Sequence, residues 1–127
     1  MPLNYDKNLS KKYIHCNMIG TGTLEDVRNY IAEITRDPDL DEPFFEIVDF
    51  TQVKNLEFGY YQSEEMMNQY LTLAENKGYI GTIFITGSEY GQGVANMFTA
   101  AGTFKGLDLR VVSSLEEAEL LIAHYFS

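Results

Sequence analysis

Polar and apolar residues alternate from Tyr13 to Ile19, with Ile14, Cys16 and Met18 on one side and Tyr13, His15 and Asn17 on the other. A period of two predicts a half-buried strand. Leu3 to Tyr5 reads as a short strand before it, joined through the turn-forming run Asp6-Lys7-Asn8. The period lengthens in LEDVRNYIAEITR, where Leu24, Val27, Ile31 and Ile34 fall on one helical face, with Thr23 as N-cap and Pro38 as stop. FFEIVDF, residues 44–50, predicts a second strand. A helix carrying Met66, Met67, Tyr70 and Leu73 is expected to start at a Ser63 cap and stop at Gly78. A strand over Tyr79 to Thr86, a helix from Tyr90 to Ala101, and a strand over Leu107 to Ser113 follow. The last helix opens on a capping box of Ser114 and Glu117.

Strands separated by helices of this length imply parallel crossovers, while the first two strands can close as a hairpin. The expected fold class is therefore α/β: a mixed four- to five-stranded sheet with an N-terminal hairpin and helices mainly on one face. The alternation in the margin strands predicts a sheet covered on one face there. At 127 residues the chain reads as one domain, residues 1–127, with no linker or repeat.

Composition narrows the function classes. Apolar residues make up 45% of the chain and aromatics 13%, enough to form a packed core. No apolar run approaches the roughly 20 residues of a membrane span, and MPLNYDKNLSKK has no apolar secretion region, so a soluble cytoplasmic protein is expected. The single cysteine, Cys16, rules out an internal disulfide and falls on the apolar side of its strand, where a thiol is inert. The 19 acids outnumber the 9 bases for a formal charge of −10, and only Lys11 and Lys12 are adjacent bases. Nucleic acid and anionic membrane need a basic track, so neither is an expected partner.

Three glycines in TGSEYGQGVANMF invite a phosphate-binding reading. A dinucleotide fingerprint fails, because Gly91-Gln92-Gly93-Val94-Ala95-Asn96 lacks its third glycine, and a P-loop would need Gly-Lys-Ser/Thr. Ser88 as a helix cap, with Gly87 and Gly91 permitting close packing, accounts for the run. His15 and His124 lie far apart in the sequence, and no G-x-S-x-G elbow exists. Neither a catalytic set, a metal site nor a cofactor is expected.

Asp49, Thr51 and Thr86 sit at the carboxyl ends of two parallel strands, where ligands of open α/β sheets bind. With Ser88 they form the candidate ligand-binding group. The pattern resembles the first two motifs of haloacid dehalogenase-type phosphotransferases. That chemistry also needs a lysine and a later acidic pair, whereas the last strand ends in Val112-Ser113-Ser114. Phe58, Tyr60 and Tyr61 form an aromatic cluster that either folds onto the core or meets a partner.

VDFTQVKNLEFGYYQSEE, with Asp49, Phe50, Thr51, Val53, Leu56 and Glu57 at matching positions, resembles the STAS domains. YGQGVANMF and VVSSLEEAELLI are similar to the small bacterial SpoIIAA-like proteins, which are grouped with STAS and with lipid-carrying CRAL-TRIO domains. The resemblance implies a non-enzymatic regulatory or scaffold module acting through protein contact, as a homodimer or with a protein partner. Its lipid-carrying relatives imply the alternative of a small apolar ligand, which a cavity beneath the helices would favour. Where antagonists of this family carry a phosphorylated serine, the chain has Phe58 and Gly59. Ser63 lies nearby, but a phosphate there would sit beside Glu64 and Glu65.

Overall fold

A computed structural model describes residues 3–127 of the chain. The elements run β1 (Tyr5–Asn8), β2 (Tyr13–Asn17), β3 (Gly20–Gly22), α1 (Leu24–Arg36), β4 (Phe44–Asp49), β5 (Val53–Leu56), α2 (Tyr60–Asn76), β6 (Tyr79–Ile85), α3 (Glu89–Thr103), β7 (Asp108–Val112) and α4 (Leu115–Tyr125). A 3-10 turn over Pro38–Asp41 follows α1. The main sheet has five strands in the order β1-β2-β4-β6-β7. Only β1 is antiparallel to its neighbour. The mixed α/β sheet with its N-terminal hairpin is as the residue pattern predicts.

Alternation along the strands divides the core in two. On one face Ile14 and Cys16 of β2, Phe44 and Val48 of β4 and Phe84 of β6 pack under α1, α2 and α3. On the other, Tyr13, Phe45, Ile47, Ile83 and Ile85 pack under Ala118 and Ile122 of α4 alone. Three helices against one is the expected imbalance. One helix still suffices to bury Tyr13, so β2 is covered on both faces at that end.

Three details differ from the sequence reading. β1 begins where the expected strand ends, because Asn8 is the turn-former: its Oδ1 accepts from the Lys11 N–H at 3.1 Å and the Ser10 hydroxyl at 3.0 Å. Helix α2 starts one turn before Ser63. Its N-cap is Gly59, whose N–H donates to Gln62 Oε1 at 3.1 Å, while the fully buried Ser63 hydroxyl donates back to the Gly59 carbonyl at 3.0 Å. The short parallel pair β3–β5, a second sheet, is too brief and too polar for periodicity to reveal. Elsewhere the caps hold, with Thr23 Oγ1 accepting from Asp26 N and Ser114 Oγ from Glu117 N, each at 3.1 Å.

Candidate functional site

The carboxyl ends of β4 and β6 bring the expected polar residues side by side. Asp49 Oδ1 accepts from the Thr51 N–H at 2.8 Å and from the Thr51 hydroxyl at 2.6 Å, closing an Asx turn. The Thr86 hydroxyl donates to Gln92 Oε1 at 3.0 Å, and the Ser88 hydroxyl accepts from Gly91 N at 3.0 Å as the cap of α3. The two turns touch, since a Cβ on Gly87 would lie 3.2 Å from Thr51 Cγ2. Yet Asp49 bonds with Thr51, Thr86 with Gln92, and Ser88 with its own helix, so each polar group is engaged locally. Among the described residues no ion pair reaches Asp49. Among them, too, no group of three or more His, Cys, Asp or Glu side chains is arranged to hold a metal ion.

Gly91 explains the glycine run. A Cβ there would sit 2.8 Å from the carbonyl oxygen of Phe50, so only glycine lets the first turn of α3 lie against the β4 end. Phe50 is buried and stacks on Phe84 at 5.3 Å and Phe98 at 5.9 Å between centroids, which fixes that backbone in place.

The aromatic loop divides. Phe58 is half-buried and folds back onto Phe98, at 6.0 Å between centroids. Tyr60 is 45% exposed and Tyr61 83% exposed, and the two rings meet edge-on. Beside them Leu56, Phe58, Tyr90, Val94 and Met97 line an open groove between β5 and α3. The Tyr90 oxygen accepts from the Leu56 N–H at 2.7 Å and so pins β5 to the helix. Glu57, Glu65 and Glu89 are exposed on or next to these elements.

One polar residue escaped the sequence reading. Glu46, in the middle of β4, is 1% exposed and faces the three-helix side. Its Oε2 accepts from the hydroxyls of Tyr30 on α1, at 2.5 Å, and Tyr70 on α2, at 2.8 Å. Its Oε1 accepts from the Thr82 hydroxyl on β6 at 2.7 Å, and Thr82 lies 2.6 Å from the Tyr79 hydroxyl. Burial pushes the Glu46 carboxyl above its ordinary range, against the pull of the three donors. Burial and then the carboxylate's charge raise the phenols of Tyr30 and Tyr70 well above theirs. Burial likewise pushes the Cys16 thiol up to about 12, which leaves it unreactive. The signal was present in the sequence as a lone acid between Phe45 and Ile47 in an otherwise apolar strand.

A cavity of about 40 Å³ lies against Glu46, between the sheet and helices α1, α2 and α3. Met18, Met66, Met67, Phe84 and Phe98 supply apolar wall. The cavity beneath the helices thus exists, but Asp49, Thr51, Thr86 and Ser88 are not among its lining residues.

No family model matches the chain, and no curated protein matches it. Among solved structures it is similar to an uncharacterised protein of the DUF3478 family with a SpoIIAA-like fold from Shewanella loihica PV-4. The two are 14% identical with a TM-score of 0.60, over 94% of this chain and 91% of that one. It is also similar to the anti-sigma factor antagonist SpoIIAA in its unphosphorylated form, at 12% identity and a TM-score of 0.57, over 96% of this chain and 97% of that one. Both matches span nearly the whole chain, and the chain therefore has the SpoIIAA-like fold.

Proposed function

We propose that the chain is a non-enzymatic regulatory or scaffold module that works by protein contact, with the Phe58–Tyr61 face as its contact surface and a homodimer as its assembly. The observation that carries this reading is the pair of exposed rings, Tyr60 and Tyr61, close in the chain to the Leu56–Phe58–Met97 groove between β5 and α3. Tyrosines supply contact area at low entropic cost and are enriched in interfaces, and twofold dimers are the commonest assembly. Phe58 serves this face from beneath, holding the loop on Phe98. The SpoIIAA-like fold also fits such a module. No described helix is long and apolar enough to cross a membrane.

Ligand capture at Asp49, Thr51, Thr86 and Ser88 is the weaker reading, because each of these groups already has an internal partner. A haloacid dehalogenase-type phosphotransfer is weaker still, since Asp49 is bound to Thr51 and has no cation beside it among the described residues. Sedimentation velocity from about 1 to 100 μM, the range in which interfaces of ordinary size form, tests the proposal. The wild-type chain is expected to dimerise, and Tyr60→Ser combined with Tyr61→Ser is expected to be monomeric with an unchanged circular dichroism spectrum. A wild-type monomer throughout, or a variant that still dimerises, overturns it.

A further inference from the structure

We propose that the open groove between α1 and α2 is a binding site for a small elongated dianion, a dicarboxylate being the simplest, held by Arg28 at one end and Arg36 at the other. The groove shares no residue with the Phe58–Tyr61 face, and neither proposal rests on the other.

Charge singles this groove out. The chain carries 19 acids against 9 bases, yet Arg28, Arg36 and Lys77 line the groove, and no acid among the described residues does. The three bases are far apart in sequence and meet only where the helices pack together. Their commitments differ. The Lys77 ammonium donates to the Asp37 carbonyl at 2.7 Å and meets the Asp41 carboxylate at 2.6 Å, so it is neutralised and ties the end of α2 to the turn after α1. Arg28 is held loosely, 3.6 Å from Glu65 with both side chains more than half exposed, a pair that contributes little in water. The Arg36 guanidinium has neither an ion pair nor a hydrogen bond among the described residues. Two guanidiniums are therefore available to an anion. The helix ends near Arg36 are partly negative, an effect weaker than a charge-assisted hydrogen bond.

Spacing sets the shape of the ligand. Arg28, Ala32 and Arg36 follow one another at intervals of four residues and so form one stripe on α1. Helical side chains all lean toward the helix start, so the two guanidiniums stand about 12 Å apart along the axis. Ala32, midway between them, leaves that interval open. Across the groove Gln69 and Asn76 lie on one stripe of α2, and neither amide has a hydrogen-bond partner among the described residues. Arg28 meets Glu65, one turn before Gln69, while Arg36 shares the groove with Lys77, next to Asn76. Each end thus offers a guanidinium from α1 and an amide from α2. Buried Ile31 and Leu73 supply an apolar floor between the ends.

A charge-assisted hydrogen bond of about 2.8 Å at each end leaves about 6 Å between the two anionic groups. A few methylenes cover that span and lie on the floor, and the guanidinium fork matches carboxylate oxygens. The groove volume of about 380 Å³ is that of a small-molecule cleft. A cation would meet repulsion there, and a monoanion would leave one arginine unused.

The probe is glutarate at constant ionic strength, with butyrate, which has one carboxylate, and pentanediol, which has none, as controls. The signals are the Nε–H resonances of the arginines in ¹⁵N-labelled protein. At the efficiency of ordinary ligands glutarate binds with a Kd of about 10 mM and butyrate about fivefold more weakly, so the titration runs to about 50 mM. Saturable shifts are expected at Arg28 and Arg36, with Arg110 on β7 unmoved and pentanediol inert. Arg36→Gln removes no internal contact and is expected to bring glutarate down to the affinity of butyrate. Lys54→Gln, the same change of charge at an exposed position on β5, is expected to leave glutarate binding as it was. Shifts that do not saturate, equal affinity for glutarate and butyrate, a response at Arg110 as large as at Arg36, or equal weakening by the two variants overturns the proposal.

Discussion

Hydroxyls from three elements converge on Glu46, tying α1 and α2 to the sheet through one side chain. Removing it does more harm than replacing it. Glu46→Ala strands the Tyr30, Tyr70 and Thr82 hydroxyls and enlarges a cavity, an expected loss of about 3–5 kcal/mol in urea unfolding. Glu46→Gln keeps an acceptor and an equal volume, so its stability at neutral pH should lie within about 1 kcal/mol of wild type. The sign with pH follows from the raised carboxyl. Its contribution is fully present below the ordinary value of 4.5 and is lost as pH rises through the folded value. Glu119 runs the other way: the Tyr13 hydroxyl and then Lys11 hold it low, so its contribution is lost on acidification. The difference between wild type and Glu46→Gln isolates Glu46, and the variant should gain relative stability from mildly acid to neutral pH. Residue patterning gave no role to Glu46, because a period of two says which side a residue faces but not who meets it there. Asp49, Thr51 and Thr86 were legible as neighbours; that each binds within its own turn depends on backbone geometry.

Helix α3 joins sequence to packing through its glycines. Gly91 lies against the Phe50 carbonyl, a backbone atom that cannot rotate away, whereas nothing lies within 4 Å of a Cβ on Gly93. Gly91→Ala should therefore cost about 1–3 kcal/mol by overpacking. Gly93→Ala, two residues on in the same helix, should be neutral or stabilising by up to about 1 kcal/mol, because alanine is the better helix former. Urea midpoints of the two variants check the contrast, and equal effects would count against the close approach. The existence and type of every main element could be read from periodicity and caps. The start of α2 could not, because Ser63 looks like a cap but is buried beneath its own first turn. Neither could β3 and β5, whose few residues pair only because the folded sheet holds Gly20 to Gly22 against Val53 to Leu56.

For the molecule as a whole, the formal charge of −10 bears on assembly. Glu65 and Glu89 are exposed on the helices that carry Tyr60, Tyr61 and Tyr90, and Glu57 is exposed in the loop before α2, so two copies meeting there bring like charges together. Raising salt from about 0.15 M to 1 M shortens the screening length from about 8 Å to 3 Å, and the dimer should tighten. Sedimentation at the two salt concentrations reads this directly; a dimer that weakens with salt would place the contact elsewhere. The mixed sheet and the three-to-one distribution of helices were legible because they follow from element order and face patterning. What fills the space beneath the helices was not, because it is set by atoms from seven elements at once. The deep phenols also fix how the protein meets alkali. Burial above all holds the phenols of Tyr30, Tyr70 and Tyr79 well above the ordinary 10.0, so their contribution to stability is fully present below 10.0 and is lost as pH rises from there through the folded values. The phenolate absorbance contributed by Tyr30, Tyr70 and Tyr79 should accordingly appear abruptly, in the same narrow interval in which circular dichroism records collapse of the fold.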